Sequence, residues 1–250
     1  MNNPRPNVLV GTDFGQLIVN VNDAPIGKDI FESGYHLKSD INVMIALIGH
    51  LASTRDVLVV YDVGANIGLH TLAFASTFRG KIKLQAFEAQ RQLFYMLCGS
   101  VALNNFSNVF CYHHAVSDTS GELLTFSTPN YSSHANFGSL ELIPPRSSDN
   151  QSMKKVLSES VSTIKLDDFD EPVDFIKMDI EGMEDKALRG AVKTIERNRP
   201  IAVVEVGKTD YEFVLNFFRD LNYIGLHKGA ALIAIPSELN LTVQGLTRFF

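Results

Sequence analysis

Tryptophan is absent from this 250-residue chain, and cysteine occurs only at Cys98 and Cys111. Two cysteines without CxxC spacing make neither a disulfide framework nor a zinc site. Cys98 falls in an apolar helical pattern and Cys111 in a strand pattern, so both read as small buried hydrophobes. No charge dominates: 22 Lys and Arg stand against 28 Asp and Glu, a net charge of −6. Without a basic stripe interleaved with aromatics, nucleic acid and anionic membranes are not expected partners. The longest apolar stretch, residues 43–52, is about half a membrane span. The start MNNPRPNVLV has no charged leader before an apolar core, so no signal peptide is expected. These absences lead to the expectation of a soluble cytoplasmic protein. The dinucleotide pattern GxGxxG, the phosphate loop GxxxxGK[ST] and an NPPY-like tetrapeptide are missing as well.

What is present is an alternation of periods. Residues 57–63, 82–87, 109–113, 173–178 and 201–206 read as buried strands, and residues 67–78, 90–104, 183–198 and 211–221 as helices. Residues 223–226 and 231–235 flank a turn at His227-Lys228-Gly229-Ala230 and read as a hairpin. This order predicts one α/β domain with a mainly parallel sheet. Two regions break the alternation. Residues 1–56 read as an N-terminal extension packed on the core, with a strand near 17–21 and a helix near 41–52. Residues 128–160, rich in Ser, Asn and Pro around the apolar island ANFGSLELI, read as a flap. The core would then span 57–235, with a tail at 236–250.

The stretch VVYDVGANIGLHTLAF, residues 59–74, carries the chemistry. A buried strand ends at Asp62, turns through Gly64, Asn66 and Gly68, and enters a helix. Ligands of open α/β sheets sit at such strand ends. Glycines let a ligand approach the backbone, and the free N–H groups of the helix start favour a carboxylate. Thr71 could add a hydroxyl. Twenty residues beyond Gly68, Glu88 ends the next strand, where an acid suits ribose hydroxyls. Asp62 is a poor neighbour for a pyrophosphate and a good one for an amino-acid ammonium. Carboxylate, ammonium and ribose together describe S-adenosylmethionine.

The chain at this point resembles the FkbM-type S-adenosylmethionine-dependent methyltransferases over residues 57–206. The motifs are DVGANIG (62–68), AFEAQ (86–90), NVFCYHHAVSD (108–118), TIKLDDF (163–169), VDFIKMDIEGME (173–184) and VVEV (203–206), with an upstream echo in VNVNDAPIGKDIFESGYH. Ala89 departs from the proline expected there, which would loosen the loop after Glu88. The resemblance implies a Rossmann-like class I methyltransferase fold, a mostly parallel seven-stranded sheet with a C-terminal antiparallel hairpin. It implies methyl transfer to a hydroxyl on a sugar, glycan or natural product, and places Ala115, Val116 and Asp118 beside the adenine.

Transfer to a hydroxyl requires an aligned acceptor and benefits from a base. The tip of the fourth core strand, Met178 to Glu184, faces that position. Asp179 and Glu181 are the candidates, one to position and one to take the proton; the competing reading is that such acids only cap a helix start. Clustered acids could also hold Mg²⁺, although no spacing demands a metal and none is expected. Tyr35 and Glu32, with His134, Asn136 and Phe137 of the flap, are candidates for the acceptor pocket, His134 being an alternative base. Two other readings stay open: an RNA or protein acceptor, and a non-catalytic cofactor-binding scaffold.

Overall fold

The computed structural model describes residues 6–34, 36–143, 155–243 and 245–250. Its centre is β3 (Leu58–Val63), buried at every residue. A strand covered on both faces needs a near-continuous apolar run, and LVVYDV departs from one only at its polar end. Beside it lie β4 (Ile82–Phe87) and then β5 (Val109–Tyr112), and on the other side β9 (Phe175–Met178) and β10 (Ile201–Glu205), all parallel. The order reverses between β3 and β9. That switch point opens a crevice at the carboxyl ends of the two strands.

The sheet continues beyond β10 with β12 (Ala231–Pro236) and β11 (Tyr223–Lys228), each antiparallel to the strand before it in the sheet. It closes with the two-residue β13 (Thr247–Arg248), making eight strands in mixed arrangement. The expected seven-stranded, mostly parallel sheet is corrected by that last strand. Its cause is the chain end: Phe249 N donates to Gly225 O at 2.7 Å, and Gly225 N donates to Phe250 O at 3.2 Å.

Helices cover both faces. On one, α2 (Lys38–Ala52), α3 (Leu69–Thr77) and α4 (Arg91–Leu103) bury Ile41, Leu47, Leu72, Phe74 and Leu97. On the other, α5 (Glu184–Arg189), α6 (Val192–Asn198) and α7 (Tyr211–Asp220) bury Leu188, Ile195, Val214 and Phe218. The single helix expected at 183–198 is broken at Gly190. Backbone of Ser117 packs against Gly190 where any side chain would stand. The break exposes the amides of the second piece, and Asp167 accepts from Lys193 N at 3.2 Å and Thr194 N at 2.8 Å.

The N-terminal segment packs on the α4 side of the core. Its hairpin of β1 (Asn7–Thr12) and β2 (Gly15–Asn20) meets α4 through Ile18 N, which donates to Ser100 Oγ at 3.0 Å. The short α1 (Ile26–Ser33) follows. The flap read at 128–160 is entered and left by the strands of a second, small sheet. In it β7 (Leu123–Pro129) runs antiparallel to β8 (Lys155–Ile164), which also pairs in parallel with β6 (Ala115–Val116). Alternating Ser and Thr on these strands made them read as loop. Residues 130–143 form the irregular part and are latched to the N-terminal segment. Ala24 N donates to Ala135 O at 2.9 Å, and Phe137 N donates to Asp23 Oδ1 at 3.0 Å.

Candidate active site

The turn after β3 holds itself together with most of its own amides. Gly64 N and Ala65 N both donate to Phe87 O, and Asn66 N donates to Glu88 Oε2 at 2.8 Å. Asn66 takes φ 52° and its Oδ1 accepts from Ile67 N at 2.7 Å. Gly64 and Gly68 sit at φ 78° and 98°, where side chains are strained. The glycines admit neighbouring protein as much as a ligand. At Gly64 the carbonyl of Asp179 fills the space a Cβ would need, and at Gly68 a Cβ would stand 2.8 Å from Leu97 Cδ1. The first bond of α3 runs from Leu72 N to Gly68 O. The amides of Leu69 and His70 therefore precede the helical ladder, and both residues line a cavity of about 260 Å³ above the turn.

Glu88 lines the same cavity from the tip of β4. Its second oxygen accepts from Gln90 N at 2.8 Å. Each carboxylate oxygen keeps a lone pair beyond its backbone partner. Burial pushes its pKa up to about 7, against the pull of those two amides. The loop at Ala89 is held without a proline: His113 Nε2 donates to Ala89 O at 3.1 Å. Ala115 and Val116 of β6 are buried and form an apolar wall with Leu140 and Leu142.

Beneath the turn lies a pair that sequence reasoning missed. Lys177, on β9 opposite Asp62 in register, puts Nζ 3.4 Å from Asp62 Oδ1 and donates to Gly64 O at 2.6 Å. Burial acts to lower its pKa, but Asp62 and Asp179 outweigh it and hold the ammonium charged. Asp62 is fully buried, and Thr71 Oγ1 donates to its Oδ2 at 2.6 Å. Asp62 and Thr71 thus face Lys177 and each other under the floor, rather than the cavity where a free ammonium was expected to meet them. Asp118 lies outside the cavity lining; it accepts from Ser117 Oγ at 3.1 Å and sits 3.7 Å from Lys186 Nζ.

The tip of β9 does reach the cavity. Asp179 and Glu181 both line it. Glu181 takes φ 54° and pairs with Lys208 Nζ at 2.5 Å. Burial lifts its pKa to about 7, partly countered by the Lys208 bond. Lys208 also donates to Ser139 O at 3.2 Å, tying this tip to the flap. Glu184 is a helix-start acid, fully buried, accepting from Ile180 N at 2.8 Å and Gly182 N at 3.1 Å. Its pKa rises to about 8 by burial. One oxygen each of Asp179, Glu184 and Glu205 lie within 4.8 Å of one another, a grouping that could take a metal ion.

The acceptor residues read from the sequence fall elsewhere. His134 is exposed and outside the cavity. Phe137 is fully buried against Tyr131, and Gln90 Nε2 donates to its carbonyl at 2.8 Å, so its ring pins the loop to the core. Neighbouring Asn136 and Gly138 do line the cavity. Glu32 is exposed beside Lys28, and Tyr35 lies outside the described residues. His70 was overlooked. It opens α3 and faces the cavity, and burial lowers its pKa to about 4, which keeps the ring neutral at physiological pH.

The strand order and crevice are those of a class I methyltransferase-like α/β fold. In structure the chain is similar to methyltransferase FkbM from Methylobacillus flagellatus KT (TM-score 0.51, 20% identity), over 72% of this chain and 44% of that one. It spans less than half of that protein's length. Precorrin-6y C5,15-methyltransferase from Geobacter metallireducens GS-15 follows (TM-score 0.46, 13% identity, 84% of this chain and 95% of that one). TYW2 of M. jannaschii in complex with AdoMet follows in turn (TM-score 0.45, 12% identity, 94% and 85%). No curated protein sequence matches significantly. The family model described as the methyltransferase FkbM domain matches residues 62–224. The chain belongs to the FkbM methyltransferase family, and its cofactor is S-adenosylmethionine. The residues fit it: an acid with free lone pairs for a ribose, an apolar wall for a base, and open helix-start amides for a carboxylate.

Proposed function

We propose that this methyltransferase methylates a hydroxyl on a small acceptor, a sugar, glycan unit or natural product, at the tip of β9. The observation carrying the reading is the place of Asp179. It lines the cofactor cavity on one side and a second cavity, of about 280 Å³, on the other. When bound, S-adenosylmethionine supplies a sulfonium methyl group, and the bonding pair stays on sulfur as the methyl leaves. Glu88 orients the ribose end, with Gly64, Asn66 and Gly68 shaping the turn beneath it. Ala115 and Val116 exclude water from the adenine end. Asp62 and Thr71 act from below by fixing Lys177 and the turn, and Asp118 by holding the strand exit. The acceptor's hydroxyl proton passes to a carboxylate, Asp179 or Glu181. Glu181 is suited to this by a pKa of about 7, near the working pH of a general base.

Incubation with methyl-labelled S-adenosylmethionine and a panel of hydroxylated sugars and polyols tests this, with the product located by NMR. An O-methyl product, lost in Asp179→Asn or Glu181→Gln, supports the reading. Label found only on RNA or protein contradicts it.

A further inference from the structure

The cavity of about 280 Å³ beyond Asp179 is walled by Val43 and Met44 of α2, Met178 of β9, Val203 of β10 and Ile233 of β12. Leu37, His70, Lys177 and Asp179 line it together with the cofactor cavity, so the two meet at those side chains. Its size is at the small end for organic ligands, room for one ring rather than a polymer.

Its charges do not cancel. Lys177 is paired with Asp62. Lys228 is paired with Asp40 at 3.3 Å and donates to Ser39 Oγ at 3.0 Å. Among the described residues no ion pair holds Asp179 or Glu205, although both line this cavity and feel Lys177 and Lys208 from further off. Glu205 Oε1 accepts from Gly207 N at 2.9 Å, while its Oε2 is buried without a hydrogen-bond partner. Both oxygens of Glu184, close by, are taken by backbone amides. Two carboxylates without an ion pair therefore face a largely apolar space, a costly arrangement unless a ligand brings donors or positive charge. An anionic acceptor would be repelled there.

We infer that this cavity is the acceptor subsite and selects a monocyclic amino alcohol, its ring on the apolar walls, its reacting hydroxyl at Asp179 and an ammonium at Glu205. The inference rests on the methyltransferase reading above and adds the acceptor's charge to it. Because Glu184 is engaged by the backbone, an organic cation suits the remaining pair of acids better than a metal ion.

The test uses the full chain saturated with S-adenosylhomocysteine, in EDTA. Calorimetry compares methyl glucosaminide, its N-acetyl counterpart, methyl glucoside and glucose 6-phosphate. The amine is expected to bind about tenfold more tightly than the N-acetyl form. In Glu205→Gln that ratio should fall to about threefold or less, with S-adenosylhomocysteine affinity unchanged as the check on folding. Equal binding of the amine and its N-acetyl form overturns the inference. So does tighter binding of the neutral or phosphorylated sugar, a preference untouched by Glu205→Gln, a requirement for Mg²⁺, or no binding of the amine. Failure to bind S-adenosylhomocysteine at all would instead strike the cofactor site on which the inference rests.

Discussion

The carbonyl of Asp179 occupies the space where a side chain on Gly64 would begin. One strand end is thus set against the other, and the glycine turn positions the candidate catalytic acid as well as the cavity above it. Gly64 also sits at φ 78°, where an alanine is strained. Gly64→Ala is expected to cost about 3 kcal/mol or more of stability. Methyl transfer should fall further than the stability loss explains, because Asp179 is displaced. Denaturant unfolding and activity on the same sample check this, and a variant of unchanged stability would contradict it.

Lys177 and Asp62 face each other from adjacent strands, buried and 3.4 Å apart. Lys177→Met leaves the aspartate with Thr71 alone, and removing one partner of such a pair costs about 3–5 kcal/mol. Adding Asp62→Asn removes the stranded charge and should recover a substantial part. Urea unfolding of the single and double variants reads the difference directly. No recovery in the double variant would show that the charge is not what destabilises the single one.

Glu181 has a pKa near 7, raised by burial and held down by Lys208. If it is the base, kcat/KM rises with pH through about 7. Lys208→Met removes the lowering contact, so the rise should move to higher pH. Glu181→Gln should abolish the limb altogether. A limb unmoved by Lys208→Met would assign the proton to Asp179.

Burial raises four glutamates above their ordinary value of 4.5: Glu88 and Glu181 to about 7, Glu184 to about 8, and Glu205 in the same direction. The folded state therefore holds more protons than the unfolded one between about pH 4.5 and 8, and stability falls as pH rises through that window. His70 works in the opposite direction only below its ordinary pKa of 6.5, since its folded value is about 4. Between pH 8 and 6.5 the raised acids, with Asp23 at about 6 adding to the glutamates at the lower end, outweigh the lowered His70 and His113, so Tm should rise as the pH is lowered. Glu184→Gln should flatten the slope. A Tm that falls over the same interval would refute this.

The central strands were legible because strands buried on both faces read as near-continuous apolar runs, LVVYDV interrupted by Asp62 and FIKM by Lys177. The turn was legible because glycine and asparagine mark left-handed backbone, which Gly64, Asn66 and Gly68 adopt. The second sheet was not. Its core is thin, centred on Ala115, Phe126, Leu140 and Val161, and Ser and Thr alternate along its strands. Phe137 and His134 misled because an apolar island in a polar loop shows that something is buried, not that a ligand covers it. The partner of Asp62 was hidden by distance along the chain: only the pairing of β3 with β9 brings Lys177 beside it. The lysine inside FIKM was the available signal, since a charge in a buried strand needs a counter-charge.

The most direct test is calorimetric titration of the chain and of Glu88→Ala with S-adenosylhomocysteine. Glu88 lines the cavity proposed for the cofactor and fixes the amides of Asn66 and Gln90. Hydrogen bonds to a charged group are each worth about 1.5–3 kcal/mol. Saturable binding, weakened on the order of a hundredfold in Glu88→Ala, is the predicted result. Equal affinity in the two proteins would place the cofactor away from this crevice and contradict the account.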